Sequence, residues 1–379
     1  MKKTLLITKY FPPMIGGTNR TYEEIYKRYP IGKIFILTQE YANYQKFDNL
    51  YPAPVIRAGV WGEPSIHPKF LDKYKLIYKA AKKIVISQNI ELLHADNAIP
   101  SGLVALILSK KFKINYVLYA HGEEIVLYSR FFPEKYVGPY LYKHAKAIIA
   151  NSRFTVDLLK KIGVKEENIH LIYRGIDPDQ FRPGLDTSEL KNKYNLTDKK
   201  IIVTISRLQE RKGQDYVIRA MPLILKEIPN AHYLVVGDGE ERERLERLVK
   251  DLSLEDKVTF VGFVSEEELP YYYNLADIFI LANRITNTND VEGFGLVFIE
   301  ANACGKPVIG GRTGGALDAI IEGETGFFVD PTDEKDIANK IIYLFKNPDI
   351  ATRLGKIGRE RAVKELRWDV VSKKIQELS

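Results

Sequence analysis

The chain has 379 residues, of which 45% are hydrophobic and 28% are charged, a balance that excludes a disordered or collagen-like protein and suits two domains. A single cysteine, Cys304, excludes an intramolecular disulfide and favours a reducing compartment, so we expect a cytoplasmic protein. The net charge of +7 is unevenly spread: residues 1–173 hold 26 Lys and Arg against 14 Asp and Glu, whereas the remainder is net acidic.

Short runs rich in Val and Ile alternate with longer helix-like segments along the whole chain. In chain order, the predicted strands are residues 4–8, 34–38, 92–95, 116–120, 147–150, 201–206, 232–237, 258–261, 278–281, 307–309 and 326–329. This rhythm predicts two α/β domains with doubly wound parallel sheets, joined by a turn-rich connector at residues 174–183. Ligands of such domains bind at the carboxyl ends of the strands, so we expect the site in the interdomain cleft.

Two motifs of the first half follow predicted strands. Gly16 and Gly17 lie between the first strand and a helix predicted over residues 19–29, where a backbone loop can approach a ligand closely, although a plain turn explains them equally well. His121 follows the strand at 116–120; a lone histidine is usually structural, yet this one is placed at the predicted active edge. Ser152 is predicted to cap the next helix and to have no chemical role.

The basic first half also contains a helix-like segment at residues 69–83. It carries six Lys, from Lys69 at its start to Lys83 at its end, among apolar and aromatic residues. A basic amphipathic helix can lie on an anionic membrane, although a solvated Lys-rich face is the alternative. Apolar runs such as residues 103–108 are far shorter than the roughly 18 residues that span a bilayer, so contact would be peripheral, at the inner membrane face.

The second half places two cations after its first strand. Arg207 and Lys212 belong to the segment Ser-Arg-Leu-Gln-Glu-Arg-Lys-Gly at residues 206–213. A diphosphate leaving group needs its charge neutralised, and the sequence has no obvious acidic metal cluster, so these two side chains are predicted to take that role without a metal. Ordinary surface solvation is the alternative. The Gly-Asp-Gly at residues 237–239 is interpreted as a tight turn.

The most informative segment is Asp-Val-Glu-Gly-Phe-Gly-Leu-Val-Phe-Ile-Glu-Ala at residues 290–301. A helix beginning near Gly295 would direct its free amides at a phosphate. Glu292 would lie at the mouth of this anion site, and Glu300, eight residues later, would lie about 12 Å along a helix axis. One carboxylate could contact a sugar beside the diphosphate, and the other could accept hydrogen bonds from the ribose hydroxyls. In the alternative interpretation, Glu292 interacts with the helix dipole and Glu300 is a solvated helix residue.

These motifs together resemble the retaining glycosyltransferases of family 4. The ordered set is Gly-Gly, His-Gly, Ser-Arg-x5-Gly, Gly-Asp-Gly and Glu-x7-Glu, followed by Ala-Cys-Gly-Lys-Pro-Val-Ile at 303–309 and Gly-Gly at 314–315. The resemblance covers nearly the whole chain. It implies the GT-B fold, with an acceptor-side Rossmann-like domain at residues 1–175, a nucleotide-sugar-binding Rossmann-like domain at 176–364 and a C-terminal helix at 365–379 that crosses back.

The resemblance also implies roles for particular residues. Arg207 and Lys212 would bind the donor diphosphate, with Gly16 and Gly17 against the phosphates and Glu300 holding the ribose. Glu292 would contact the transferred sugar, and His121 would contact that sugar or the reacting centre. Backbone groups near sugar and phosphate would come from Phe294, Gly295 and Leu296, and the stretch around Phe263 would line the base pocket. No cofactor is implied beyond the nucleotide-sugar donor, which is a substrate, and no metal is required.

Two departures from the family pattern stand out. The polar loop at residues 283–290 replaces the usual Pro-Ser turn, and its Asp-Val-Glu-Gly ending resembles a subset that contains GDP-mannose-dependent enzymes. Mannose is therefore the leading prediction for the transferred sugar. Arg174 occupies a position where an Asn usually precedes the Gly, and we expect a structural difference only.

The predicted function is transfer of a hexose, of mannose or glucose type, from a nucleotide diphosphate sugar to a lipid-linked or polysaccharide acceptor. Without an obvious covalent nucleophile, front-face attack through an oxocarbenium-like state is favoured. The alternatives are a sugar-nucleotide epimerase on the same fold and a non-catalytic nucleotide or nucleic-acid binder. The binder would explain the basic half but not the paired carboxylates, so no nucleic-acid partner is expected. A Rossmann dehydrogenase is disfavoured because the first strand-turn lacks G-x-G-x-x-G.

Overall fold

The computed structural model describes residues 1–14, 16–62, 71–128, 134–286 and 293–378. They form two compact units. The first unit is Met1–Gly175 together with Trp368–Ser379, and the second unit is Ile176–Arg367. The chain thus leaves the first unit within the turn-rich connector and returns to it just before its last helix.

The first unit is built on a seven-stranded parallel sheet. Its strands are β1 (Thr4–Ile7), β2 (Ile34–Thr38), β3 (Val55–Arg57), β4 (Leu92–Ala95), β5 (Asn115–Ala120), β6 (Ala147–Ala150) and β7 (Ile169–Leu171). They are ordered β3-β2-β1-β4-β5-β6-β7. The central strands β1, β2 and β4 are buried along their whole length, as expected when helices cover both faces of a parallel sheet.

The second unit repeats this design with six parallel strands. They are β8 (Lys200–Ile205), β9 (Ala231–Val236), β10 (Val258–Gly262), β11 (Ile278–Leu281), β12 (Val308–Gly311) and β13 (Gly326–Val329). Their order is β10-β9-β8-β11-β12-β13. Both sheets reverse their winding once, between β1 and β4 in the first unit and between β8 and β11 in the second. The carboxyl ends beside such a reversal are where doubly wound sheets bind ligands.

Helices connect the strands in both units. In the first unit they are α1 (Gly17–Tyr26), α2 (Tyr44–Asp48), α3 (Leu71–Gln88), α4 (Leu103–Phe112), α5 (Glu123–Tyr128), α6 (Glu134–His144), α7 (Arg153–Lys161) and α16 (Trp368–Gln376). In the second unit they are α8 (Ser188–Lys193), α9 (Gln214–Glu227), α10 (Arg242–Asp251), α11 (Leu269–Leu275), α12 (Leu296–Ala303), α13 (Ala316–Ala319), α14 (Glu334–Lys346) and α15 (Pro348–Glu365). Within the described ranges, no helix is long and apolar enough to cross a membrane.

The α/β class and the two doubly wound parallel sheets are confirmed, and every predicted strand is present. The sequence missed β3 and β7, each a three-residue strand at the edge of the first sheet. Their side chains are at most partly buried, so neither strand shows the continuous apolar run by which buried strands are recognised. Both strands therefore depend on pairing with a neighbour already in place.

The last helix completes the core of the first unit. Trp368, Val371 and Ile375 of α16 pack in one buried cluster with residues of α1. The Ser372 hydroxyl donates a hydrogen bond of 2.8 Å to the Ile25 carbonyl, which fixes α16 on α1. The second unit has its own core, formed mainly by α9, α14 and the central strands of its sheet.

Candidate active site

In the first unit, the predicted glycine pair lies beside an arginine. Gly17 begins α1, and a Cβ atom placed on it would lie 3.5 Å from Nη1 of Arg174. Nη2 of Arg174 lies 3.3 Å from the Thr18 hydroxyl and 3.4 Å from Nδ1 of His121. Arg174 therefore brings the glycine loop and His121 together, so it is placed among the predicted site residues rather than marking a structural difference alone.

The surroundings of His121 determine its tautomer and charge. A guanidinium can only donate, so Nδ1 is the acceptor and Nε2 carries the hydrogen. Nε2 lies 2.9 Å from the Tyr22 hydroxyl, which in turn donates to the Asp96 carbonyl at 3.1 Å. Burial, with the nearby positive charge of Arg174, lowers the pKa of His121 to about 3. His121 is therefore a neutral hydrogen-bonding group at physiological pH.

Two carboxyl groups near His121 were missed from the sequence: the half-buried Glu124 and the fully buried Asp96. Oε1 of Glu124 accepts hydrogen bonds from the His121 amide and the Tyr142 hydroxyl, both at 2.8 Å, and burial raises its pKa to about 7. Asp96 accepts from the Thr8 hydroxyl and the Lys9 amide, and burial raises its pKa to about 6. Their positions in the sequence could have indicated these two residues, because each follows a buried strand within a few residues.

In the second unit, Arg207 and Lys212 follow β8 as predicted. Arg207 is exposed, whereas Lys212 is only 9% exposed at the end of the helical turn Glu210–Lys212. The next residue, Gly213, has φ of 73°, and a Cβ atom on it would lie 1.9 Å from the Ala282 carbonyl oxygen. Only glycine permits this approach, which presses the loop of Lys212 against the end of β11.

The predicted helix start at Gly295 is confirmed. Gly295 has φ of 80° and ψ of 57°, a left-handed conformation that suits glycine, and α12 begins at Leu296. Phe294 is buried, and Leu296 is half-buried. The Gly293 carbonyl lies so close to Gly315 that a Cβ atom there would approach it to 2.1 Å. The loop before α12 is thus fixed against the loop that follows β12.

The structure corrects two details of the carboxylate pair. Glu300 is 5% exposed and its Oε2 accepts a hydrogen bond of 2.6 Å from the Tyr273 hydroxyl, so the solvated interpretation of Glu300 is wrong. Because α12 begins only at Leu296, the helical rise of about 12 Å does not apply to the whole interval between the two carboxylates. Glu292 itself lies outside the described residues, as do Val291 and residues 287–290 of the polar loop.

The remaining predictions for this unit concern loops after β9, β10 and β11. Phe263 is 68% exposed immediately after β10. The turn at residues 237–239 packs on the segment after β8, since the Leu208 amide donates to the Asp238 carbonyl at 3.0 Å. Asn283 begins the polar loop; its side-chain amide donates to the Thr313 hydroxyl at 3.0 Å, and its side-chain oxygen accepts from the Gly311 amide.

Each unit therefore gathers its own set of predicted residues. Gly16, Gly17 and His121 lie in the first unit, whereas Arg207, Lys212, Phe263, Phe294, Gly295, Leu296 and Glu300 lie in the second. Ser152 caps α7 by accepting from the Thr155 amide at 3.2 Å, which confirms its structural role. Among the described residues, no group of three His, Cys, Asp or Glu side chains is arranged to hold a metal ion.

Comparison with known proteins assigns the class. Residues 15–180 match the model of Glycosyltransferase Family 4, and residues 186–361 match that of Glycosyl transferases group 1. The chain is 30% identical to the GDP-mannose-dependent alpha-(1-6)-phosphatidylinositol monomannoside mannosyltransferase of Mycolicibacterium smegmatis, over 99% of this chain and 97% of that protein. It is 28% identical to the GDP-mannose-dependent monoacylated alpha-(1-6)-phosphatidylinositol monomannoside mannosyltransferase of Corynebacterium glutamicum, over 99% and 97%.

A solved structure agrees with the architecture. Anabaena HepE superposes with a TM-score of 0.82 at 22% identity, over 100% of this chain and 99% of that one. The two doubly wound sheets, together with the two family matches, define a glycosyltransferase of the GT-B fold. The chain belongs to glycosyltransferase family 4.

Proposed function

We propose that the protein transfers mannose, with retention of configuration, from GDP-mannose to a lipid-linked acceptor. The mycobacterial and corynebacterial relatives support this choice, because both are GDP-mannose-dependent enzymes of a phosphatidylinositol mannoside and align with this chain almost from end to end. The Asp-Val-Glu-Gly that ends the polar loop supports the same donor. A glucose-type donor and a polysaccharide acceptor are the nearest alternatives.

The observation that carries the proposal is the cationic end of β8. Lys212 is almost fully buried in a loop pressed against Ala282, and Arg207 lies exposed five residues earlier. A cation held rigidly where water is scarce stabilises developing negative charge more strongly than a mobile surface cation. These two side chains are therefore suited to neutralise the diphosphate as it leaves the sugar, with the amides at the start of α12 as further donors and without a metal.

The family resemblance supports the rest of the proposed donor site. The Tyr273 hydroxyl orients Glu300, whose carboxylate would accept hydrogen bonds from the ribose hydroxyls. Glu292 would meet the mannose, and Phe263 would border the base. In the first unit, Gly16 and Gly17 would lie against the phosphates, and neutral His121 would contact the sugar.

The reaction itself needs no covalent protein intermediate. The bond between the anomeric carbon and the diphosphate oxygen breaks, and an oxocarbenium-like state develops. The acceptor hydroxyl attacks from the same face, while its proton passes to the departing diphosphate. Arg207 and Lys212 stabilise the charge that appears on that group, and this selective stabilisation lowers the barrier.

The acceptor side includes a surface suited to a membrane. Lys75, Lys79 and Lys83 are exposed on one face of α3, and Leu76 and Ile86 on that face are 41% and 56% exposed. Cations combined with accessible apolar side chains favour binding at an anionic lipid surface, with about 1 kcal/mol from each well-placed lysine. Peripheral docking through this face would bring the enzyme to a lipid-linked acceptor.

Product analysis tests the proposed reaction. The purified protein is incubated with GDP-mannose or UDP-glucose, alone and with a phosphatidylinositol mannoside, and the products are separated. We expect a mannosylated lipid only when GDP-mannose and the lipid are both present, with turnover unchanged by EDTA. Conversion of the donor to an isomeric nucleotide sugar without the lipid would identify an epimerase instead, and loss of turnover with EDTA would refute metal independence.

Two substitutions test the cationic site. Arg207→Ala and Lys212→Ala should each lower kcat by about 100-fold or more, because each removes stabilisation of the leaving group. Arg219→Ala removes an exposed cation of α9 and is the matched control, with turnover close to that of the wild type. Near-normal turnover in both site variants, with the fold intact, would remove the basis of the assignment.

Sedimentation with vesicles tests the membrane contact. The triple variant K75E/K79E/K83E should bind vesicles rich in anionic lipid less than the wild type does, because three attractive charges are reversed. A control variant, K160E/K161E/K165E, changes exposed lysines in and just after α7. Equal sedimentation of wild type and K75E/K79E/K83E would exclude docking through α3.

A further inference from the structure

The polar loop after β11 contains a buried arginine that joins it to the start of α9. Nη1 of Arg284 lies 2.7 Å from Oδ1 of Asp215, and Nη2 lies 3.1 Å from Oδ2, a bidentate pair in which both side chains are buried. The guanidinium carbon also lies 5.0 Å from the centre of the Tyr216 ring. Such a fork fixes distance and orientation together, which a lysine could not do.

The backbone of the same residue makes a second connection. The Arg284 amide donates a hydrogen bond of 2.8 Å to the Arg211 carbonyl. Residues 211–215 are therefore held at both ends by Arg284, through a carbonyl at the first residue and a carboxylate at the last. Lys212 lies between these two attachments, and Gly213 is pressed against the Ala282 carbonyl.

The positive charge of Arg284 is already compensated by a carboxylate of the protein. Asp215 compensates it at short range, and Arg244 approaches the same carboxylate at 3.3 Å. Two guanidinium groups thus share Asp215, while the partly exposed Arg244 forms the looser contact. This arrangement suits Arg284 to orient the segment rather than to bind an anion itself.

We propose that Arg284 is a positioning residue for the donor site, acting through Asp215 and the Arg211 carbonyl to hold Lys212 where the donor diphosphate binds. The inference rests on the proposed function, because it assigns Arg284 to the diphosphate site.

A double-mutant cycle on GDP binding tests the inference. Arg284→Met replaces the aliphatic stem of the arginine with an unbranched apolar side chain but removes the guanidinium and both ionic hydrogen bonds. Kd for GDP is measured by calorimetry. We expect R284M to weaken GDP binding by about tenfold in the wild-type background, since small displacements of a charged ligand group are costly. In the Lys212→Ala background the same substitution should have little effect, because the group that it positions is gone.

Two further variants separate positioning from a general loss of stability. Arg284→Lys keeps the charge without the fork and should give an intermediate loss of GDP affinity, which provides a folded variant if R284M unfolds. Lys346→Met removes the ion pair to Glu227, at the opposite end of α9, and should leave Kd unchanged. In turnover assays, R284K should raise KM for the donor and leave KM for the acceptor unchanged.

The outcomes distinguish this inference from the proposed function. Wild-type affinity for GDP in folded R284M or R284K would overturn the positioning role while leaving the donor assignment intact. A tenfold loss that persists in the K212A background would also overturn it, because Arg284 would then act independently of Lys212. If the wild-type protein binds neither GDP nor another nucleoside diphosphate, the proposed function fails and the inference falls with it.

Discussion

At the scale of single residues, the first unit concentrates desolvated titratable groups in and just after its central strands. Burial lowers the pKa of His121 and of His94, each to about 3, and raises the pKa of Asp96 to about 6 and of Glu124 to about 7. All four are therefore biased toward their neutral forms, as desolvation requires. At neutral pH the two histidines are neutral hydrogen-bonding groups, and Arg174 supplies a positive charge beside His121.

Glu124 gives a prediction with a definite sign. Its folded-state pKa of about 7 lies above the ordinary value of 4.5, so its contribution to stability is fully present below about pH 4.5 and is lost as pH rises through 7. Glu124→Gln keeps an acceptor for the His121 amide and the Tyr142 hydroxyl but cannot ionise. We therefore expect E124Q to gain stability relative to the wild type between about pH 5 and 8, by on the order of 1–3 kcal/mol.

Thermal unfolding over that pH range provides the measurement. His94 and His121 titrate alike in both proteins, so their effect cancels in the comparison. Glu167→Gln, which replaces a carboxylate that is 73% exposed, is the control and should leave the pH dependence of the melting temperature unchanged. A constant difference between E124Q and wild type from acid to neutral pH would contradict the raised pKa.

In the proposed donor site, the sequence predicts the type and position of the polar residues but does not predict their burial. The types and positions of Arg207, Lys212 and Glu300 could be read from the sequence, because strand ends and helix starts have local signatures. The burial of Lys212 and Glu300 could not be predicted in this way. Glu300 is buried because Tyr273, 27 residues earlier, donates to it, and Lys212 is buried because the end of β11 lies against its loop.

At the scale of elements, the loops after β8 and β11 form one interlocked structure. Gly213 contacts the Ala282 carbonyl, Arg284 binds residues 211–215, and Asn283 binds the loop that follows β12. Each contact joins the carboxyl ends of neighbouring strands. The loop that carries Arg207 and Lys212 is thus held rigidly at this edge of the sheet, which in the proposed function reduces the reorganisation needed when a charged donor binds.

Gly213→Ala tests this interlocking. An alanine there would adopt an unfavourable φ and would also bring its Cβ atom to 1.9 Å from the Ala282 oxygen, so the loop must move. We expect a loss of stability of about 2–4 kcal/mol, together with weaker binding of GDP. Circular dichroism on heating and calorimetry provide the two measurements.

Gly323 provides a matched comparison in the same unit. It has φ of 75°, almost the value at Gly213, but no atom lies within 4 Å of a Cβ atom placed on it. Gly323→Ala should cost only the backbone strain, about 1 kcal/mol, and leave GDP binding unchanged. Equal effects of the two substitutions would show that the contact with Ala282 contributes nothing.

At the scale of the whole molecule, the two units have separate hydrophobic cores. Ile375 of α16 belongs to the core of the first unit, and Ile337 of α14 belongs to that of the second. Both tryptophans of the sequence, Trp61 and Trp368, are buried in the first unit. Tryptophan fluorescence should therefore report the unfolding of the first unit, whereas far-ultraviolet circular dichroism reports both.

Two matched substitutions test this separation. Ile375→Ala and Ile337→Ala each remove buried methyl groups, at a cost of about 2–5 kcal/mol to the unit concerned. In urea titrations, I375A should lower the unfolding midpoint detected by fluorescence. I337A should leave that midpoint unchanged and should lower the midpoint of the second unit's transition, which circular dichroism also detects. A fluorescence midpoint that shifts equally in both variants would mean that the units unfold as one.

The sequence alone determined the α/β class, the buried strands and the start of α12 at Gly295, because apolar runs and left-handed glycines act within a few neighbouring residues. Tertiary structure decided the strand order, the short edge strands β3 and β7, and the burial of Lys212 and Glu300. It also brought Arg284 to Asp215, 69 residues earlier in the chain. Such contacts depend on which strand ends become neighbours in the sheet, and only the assembled sheet fixes that order.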